Sequence, residues 1–338
     1  MNIRLRNWLP YTVLGGLVAL CVGIVAVGQT PLAGDAPAPS DPQEVLRQLG
    51  RRNIRVHDPS AIVKCKNEYW IFFTGAGPPS IHSTDMVNWT AGPRPFTTPL
   101  PWVAQVVPGN RGGNGFWAPD ISKVGDRYML FISASAFGKN TSGIGVATNP
   151  TLDPADPAYH WTDGGLVVQS RENDDFNCID PCAFQDSGGK LWLSFGSFWS
   201  GIKLIELNPA TGLRIAPDSP MYNLAHWDGI EASYLYHHDE HYYLFVAWGM
   251  CCRGIHSTYN TRVGRADKIT GPYLDKDGKD MLLGGGSLLA GTDGPMVGPG
   301  QAGIFEENGK FWFSSHFYDA TANGDSRLSI RPLTWESN

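Results

Sequence analysis

Asn67-Glu68-Tyr69-Trp70-Ile71-Phe72-Phe73 is a polar, turn-forming start followed by an unbroken aromatic and aliphatic run, and the chain repeats it four more times. The copies are Asp126-Arg127-Tyr128-Met129-Leu130-Phe131, Gly189-Lys190-Leu191-Trp192-Leu193-Ser194-Phe195, Glu240-His241-Tyr242-Tyr243-Leu244-Phe245 and Gly309-Lys310-Phe311-Trp312-Phe313-Ser314. Short aromatic and β-branched runs bounded by turn residues are strand signals. The runs start at 69, 128, 191, 242 and 311, spaced by 59, 63, 51 and 69 residues. Each interval holds about four short strands with their turns. Five four-stranded units repeated around an axis make an all-β, five-bladed β-propeller. A β-sandwich with accidental similarity is the competing architecture.

Upstream of these runs the repeat continues. Asp58, Asp180 and Glu231 each stand 11 residues before the run that follows them, and Asp120 stands 8 before its own. In the fifth unit the 11-residue offset falls on Gly300, beside Gln301. Equivalent positions in successive blades face one axis, so the repeat predicts Asp58, Asp180 and Glu231 at one mouth of a central channel. Each is flanked by proline or small residues at the start of an apolar strand, where a solvated charge has no reason to recur. Carboxylates buried without a partner are costly, so their convergence points to a function or a bound cation.

The composition agrees with a folded chain of many turns. Charged residues are 17% of 338, under the roughly 25% of an average soluble domain, and aromatics are 12%. The 40 glycines and 25 prolines are scattered between the aromatic runs. A formal charge of −6 without a Lys/Arg cluster argues against nucleic acid as a partner and against an anionic substrate. Arg4 and Arg6 precede an uncharged apolar run over residues 11–27, and Ala26-Val27-Gly28 offers small residues for cleavage. Residues 1–28 therefore read as an export signal. The run of 17 residues also sits at the lower edge of a bilayer span, which keeps an uncleaved anchor as the alternative. Residues 29–53 read as a linker, proline-rich over 30–42, with a short helix over 41–49. Residues 54–335 are the expected propeller. The expected location is secreted or periplasmic, or membrane-anchored if the leader is kept.

Two carboxyl groups flanking a glycosidic bond, one protonated and one ionised, is the standard arrangement for hydrolysing sugars. A third carboxylate nearby raises the pKa of the acid by like-charge repulsion and keeps it protonated near neutral pH. The aromatics of Asn114-Gly115-Phe116-Trp117 and Gly196-Ser197-Phe198-Trp199 suit stacking on sugar rings, with core packing as the plainer alternative.

At this point the residues resemble a known family. Val56-His57-Asp58-Pro59-Ser60, Phe116-Trp117-Ala118-Pro119-Asp120-Ile121, Ile179-Asp180-Pro181 and Glu231-Ala232-Ser233-Tyr234 look like the signature blocks of family 43 glycoside hydrolases. Phe195-Gly196-Ser197-Phe198-Trp199-Ser200-Gly201-Ile202-Lys203-Leu204 resembles the arabinanase branch. So do Cys251-Cys252-Arg253-Gly254, Ser257-Thr258-Tyr259-Asn260 and Val263-Gly264-Arg265. The similarity runs over about residues 54–333, and the Cys-Cys block is specific to few relatives. It implies a five-bladed propeller that hydrolyses α-1,5-linked L-arabinan, including pectin side chains, with inversion. It implies Asp58 as general base, Glu231 as general acid and Asp180 as the carboxylate that tunes and orients Glu231. Trp102, Phe116, Trp117, Asn177, Ser197, Phe198 and Trp199 are the candidate sugar contacts. His316, in Ser315-His316-Phe317-Tyr318-Asp319, matches a block whose histidine helps hold a cation, commonly calcium, with water completing the shell. The chain departs from its relatives at Gly298-Pro299-Gly300-Gln301, where they usually carry histidine in place of Gln301. A monomer is expected.

An exo-acting arabinofuranosidase or β-xylosidase on the same fold is the alternative enzyme. A non-catalytic sugar-binding propeller would be expected to lack one of the three carboxylates, and none is missing here. Apart from Cys21 in the leader, five cysteines are too few to staple a chain of this size. Cys178 and Cys182 share a strand face about 13 Å apart, beyond disulfide reach, and a zinc site lacks a second ligand pair. Adjacent Cys251 and Cys252 are either two thiols or a vicinal disulfide ring.

Overall fold

The computed structural model describes residues 2–5, 54–110 and 114–336. Five antiparallel sheets stand around one axis. β1 (Asn2–Leu5) belongs to the last of them. Blade one is β2 (Val63–Cys65), β3 (Glu68–Phe72), β5 (Ser80–Ser83) and β6 (Thr90–Ala91), while β4 (Gly75–Ala76) reaches across to blade two. Blade two is β7 (Gly115–Val124), β8 (Arg127–Ala134), β9 (Ser142–Asn149) and β10 (Thr162–Ser170). Blade three is β11 (Cys182–Gln185), β12 (Leu191–Phe195), β13 (Ile202–Leu207) and β14 (Met221–Ala225). Blade four is β15 (Ile230–His238), β16 (His241–Trp248), β17 (Asn260–Ala266) and β18 (Ser287–Ala290). Blade five is β19 (Met296–Glu307), β20 (Lys310–Asp319) and β21 (Asp325–Glu336), with β1 on its outer edge. The five repeated runs are β3, β8, β12, β16 and β20, the second strand of every blade, so the sandwich alternative falls.

Packing explains why those strands are apolar on both faces. In β8, Tyr128, Leu130 and Ile132 pack toward blade one with Trp70 and Phe72, while Met129 and Phe131 pack toward blade three with Leu191, Leu193 and Phe195. Trp192 and Leu204 meet Leu244 and Val246 between blades three and four, and Tyr243 and Phe245 meet Ile304 and Phe313 between four and five. Trp312, Leu328 and Ile330 meet Val56, Ile71 and Ile81, closing the ring. A strand sandwiched between two neighbouring sheets cannot alternate polar and apolar residues. The core is therefore a ring of five layers, and the polar channel lies at its centre.

A helix, α1 (Pro101–Val106), was not expected from the sequence. It starts on Pro101, whose fixed φ and missing N–H suit a first helical position, and it buries Trp102 and Val103. The helix expected over 41–49 and the apolar run over 11–27 lie outside the described residues.

Candidate active site

The first strands β2, β7, β11, β15 and β19 approach one another around the axis. At or just before each of them, one non-glycine residue takes left-handed backbone angles: Asp58 (φ 46°), Ala118 (φ 37°), Asp180 (φ 58°), Ala232 (φ 55°) and Gln301 (φ 58°). Such angles cost on the order of 1–3 kcal/mol and persist only where the surroundings impose them. In β7, β15 and β19 the register breaks at the same level, between Trp117 and Asp120, Glu231 and Tyr234, and Gly300 and Gly303. A bulge of this kind re-aims a side chain out of the regular alternation. Asp58, Asp180 and Glu231 are brought close enough for each to sense another's charge.

Asp58 Oδ2 is held twice. The Thr74 hydroxyl donates to it at 2.7 Å, and His57 Nδ1 lies 2.7 Å away. Thr74 accepts the Ala118 N–H at 2.9 Å, which leaves its own proton for the carboxylate. Oδ1 lies 3.5 Å from His316 Nδ1. Burial raises the Asp58 pKa, but the His57 charge and hydrogen bond, with His316 and Thr74, outweigh it and hold it down to about 2. For His57 burial is likewise outweighed, by Asp58, and its pKa is raised. Asp58 is an ionised carboxylate at neutral pH.

Glu231 lies in the opposite environment. Ser197 donates to Oε2 at 2.7 Å, and the Tyr259 hydroxyl donates to Oε1. Burial drives its pKa above the usual range, the two hydroxyls hold it back, and the Asp58 charge pushes it up again. Asp180 is buried and accepts the Ala232 N–H at 2.9 Å. Burial, then the charges of Glu231 and Asp58, push Asp180 well above the carboxylate range. Each of these two carboxyls makes ionisation of the other harder, so they titrate as a pair. Of the three carboxyls, Asp58 is the one held low.

This constellation, on this fold, has relatives. The model of the glycosyl hydrolases family 43 matches residues 52–338. The chain belongs to that family. It is 40% identical over 301 residues, 85% of its length and 86% of the other's, to the extracellular exo-α-(1→5)-L-arabinofuranosidase ArbA of Cellvibrio japonicus (strain Ueda107). It is also 40% identical over 296 residues, 85% of its length and 88% of the other's, to the extracellular endo-α-(1→5)-L-arabinanase 1 of Bacillus subtilis (strain 168). The structure of a Cellvibrio cellulosa α-L-arabinanase complexed with arabinohexaose matches with a TM-score of 0.80 at 39% identity, covering 85% of this chain and 94% of that one.

In this family 43 glycoside hydrolase the expected sugar contacts divide. Phe116 is fully buried and Trp102 nearly so, their centroids 6.3 Å apart in the layer between blades one and two. They are core residues, because a ring enclosed on both faces has none left for a sugar. Asn177 is buried with Oδ1 accepting from Ser142 at 2.7 Å, and Ser197 is spent on Glu231. Trp117 and Phe198 are half-buried, and Trp199 is 43% exposed, so these three keep accessible surface. Asp120, the carboxylate at the shorter offset, is a brace. Its oxygens accept the Ala61 N–H at 3.5 Å and the Ala183 N–H at 2.9 Å, tying blade two to both neighbours. Cys178 and Cys182 are buried free thiols, and Cys251 and Cys252 are joined.

The implied cation was tested against His57, Asp58 and His316, whose ligand atoms lie within 4.8 Å of one another. His316 is fully buried, and burial followed by the His57 charge holds its pKa down to about 3, so the ring is neutral. Its Nε2 has no hydrogen-bond partner among the described residues. With the ring proton on Nδ1, toward Asp58 Oδ1, Nε2 is a free lone pair that fits a hydrated cation. The Asp58 N–H, 3.2 Å from the same Nδ1, favours the other tautomer, in which Nε2 is a donor suited to water. The donor set therefore fits a cation in one tautomer only, and it is poor in the oxygens calcium prefers.

Sequence reasoning missed His57, Thr74, Tyr259 and Tyr318 as site residues. Two of them left a signal: His57 adjoins Asp58, and Tyr318 lies two residues from His316, hence on the same strand face.

Proposed function

We propose that the protein hydrolyses α-1,5-linked L-arabinan with inversion at the anomeric carbon. The observation that carries the reading is the contrast between an Asp58 held ionised and a Glu231 driven toward its protonated form in one channel mouth. Asp58, with Oδ2 held by Thr74 and His57, takes a proton from water through Oδ1 as that water bonds to the anomeric carbon. Glu231 gives its proton to the leaving oxygen as the glycosidic bond breaks. Asp180, close enough for its charge and that of Glu231 to be felt by each other, tunes Glu231 and so keeps it an acid. A cation held by His316 and water would supply positive charge near Asp58, and no proton transfer above depends on it. Extracellular relatives and the apolar run over residues 11–27, read as an export signal, support export, and one copy carries all three carboxyls, which supports a monomer.

Proton NMR of the first product from linear arabinan tests the reading, with the inverted β-anomer expected before mutarotation. Initial release of the α-anomer would overturn inversion, and no release of arabinose or oligomers would overturn the substrate. An exo-acting arabinofuranosidase is the second reading, because the exo-acting and endo-acting relatives are equally identical to this chain. A ladder of oligomers marks endo action, and a single small product from the start marks exo action.

A further inference from the structure

Cys251 and Cys252 form a disulfide between adjacent residues. They follow β16, with Cys252 exposed at φ 64°. The Cys252 backbone N–H donates to the Tyr318 hydroxyl oxygen at 2.7 Å. That oxygen lies 2.9 Å from His57 Nε2, and His57 Nδ1 lies 2.7 Å from Asp58 Oδ2. Cys252 Sγ is itself 3.9 Å from His57 Nε2.

We propose that Tyr318 and His57 are positioning residues for the base Asp58, and that the Cys251–Cys252 ring is the anchor that holds them in place. Because Tyr318 already accepts the Cys252 N–H, its own proton is left for His57 Nε2. In either charge state Nδ1 carries a proton that meets Asp58, and once the ring has lost its second proton the Tyr318 hydroxyl donates to the bare Nε2. Donation runs one way from backbone to carboxylate, as it does through Ala118 and Thr74 on the other side of Oδ2. Both arms hold Oδ2, which reserves Oδ1 for the proton of the attacking water.

The ring matters because of where it places Cys252. A non-glycine residue in left-handed angles relaxes toward the ordinary region when nothing holds it. Closing neighbouring cysteines through their shared peptide makes both residues' angles depend on the sulfur bond. Reduction by an external dithiol transfers two electrons and two protons, converts the reagent to its own disulfide, and leaves Cys251 and Cys252 as thiols. Cys252 is then free to relax and withdraw its N–H from Tyr318. Its thiol, close to His57 Nε2, competes with Tyr318 for that nitrogen.

The experiment compares oxidised and dithiol-reduced enzyme on linear arabinan, with native thiol titration confirming reduction. Cys65, Cys178 and Cys182 are buried thiols already and do not change. Reduction is expected to lower kcat roughly tenfold, about the worth of one well-placed hydrogen bond, with KM unchanged and recovery on reoxidation. Tyr318→Phe is expected to show the same loss and no further loss on reduction, since the relay is already cut. An unchanged kcat after confirmed reduction overturns the proposal, as does a Tyr318→Phe enzyme that remains fully sensitive. Only the assay substrate rests on the arabinan reading. Nitrogen-15 NMR of the His57 ring, assigned against His57→Gln, needs no substrate. At a pH alkaline enough for the ring to be neutral, it is expected to report an Nδ1-protonated ring that loses this single tautomer on reduction, and an unmoved ring overturns the relay whatever the substrate.

Discussion

At the scale of single residues, the site works by giving chemically similar carboxyls different surroundings. Asp58→Asn and Glu231→Gln are each expected to lower kcat on arabinan by at least the roughly 10²–10⁴ of a general acid-base contribution, with the melting temperature little changed. Activity within tenfold of wild type in either variant removes that residue from the mechanism. Asp180 tests the coupling of the pair. In the wild type the pair loses its last proton against the charge that stays behind, which places the alkaline limb of the pH–rate profile high. Asp180→Asn keeps the size and removes that repulsion, so the limb is expected to move to lower pH. A slower enzyme with an unmoved limb would mean that Asp180 orients Glu231 without tuning it. Ser197→Ala removes a donor that favours ionised Glu231, so it is expected to shift the limb the opposite way.

At the scale of elements, the strands are held in angular order by buried polar braces as well as by apolar layers. Asp120 is the clearest. Burial, partly offset by the Ala183 and Ala61 N–H groups, raises its pKa from 3.8 to about 7 in the folded chain. A carboxyl raised on folding contributes stability that is fully present below its unfolded pKa and is lost as pH rises through the folded one. Urea midpoints are therefore expected to show the wild type losing stability relative to Asp120→Asn between about pH 4 and pH 7. A difference flat across that window would show that Asp120 does not titrate there. Asp120→Ala leaves buried N–H groups without an acceptor and is expected to cost about 1–3 kcal/mol. Close approach matters equally on β19. A Cβ at Gly300 would meet the Tyr259 ring at 2.3 Å, so Gly300→Ala is expected to push Tyr259 off Glu231 and lower kcat before it unfolds the blade.

At the scale of the whole molecule, the ring closes by packing and by a few backbone bonds between its ends. Blade one is built from the start of the propeller and blade five almost wholly from its end, and Leu328 N–H donates to Ile54 O across the seam at 3.1 Å. Of the described residues, a chain starting at residue 54 loses only β1, an edge strand, and is expected to melt within about 5 °C of the full chain by circular dichroism. A chain lacking residues 325–336 loses the strand that covers β20 and joins the seam, and no cooperative transition is expected from it. A cooperative melt of that shorter chain would show that the ring does not depend on its last strand.

The amino-acid sequence alone determined the architecture and the three carboxyls. Both repeat five times or at one offset, and a repeat is visible in one dimension because every blade faces the same two neighbours and the same axis. The apolar runs of β3, β8, β12, β16 and β20 announced their two-sided burial in the same way. Only the tertiary structure decided which aromatic is core and which is accessible, since Phe116 and Trp117 are adjacent and alike in composition but lie on opposite sides of a strand. It also decided the states of the carboxyls. The partners that separate Asp58 from Glu231 are His57, Thr74, Ser197 and Tyr259, drawn from four different stretches of chain. Charge and hydrogen bonding act through space over a few ångströms, and chain order does not record distances of that kind.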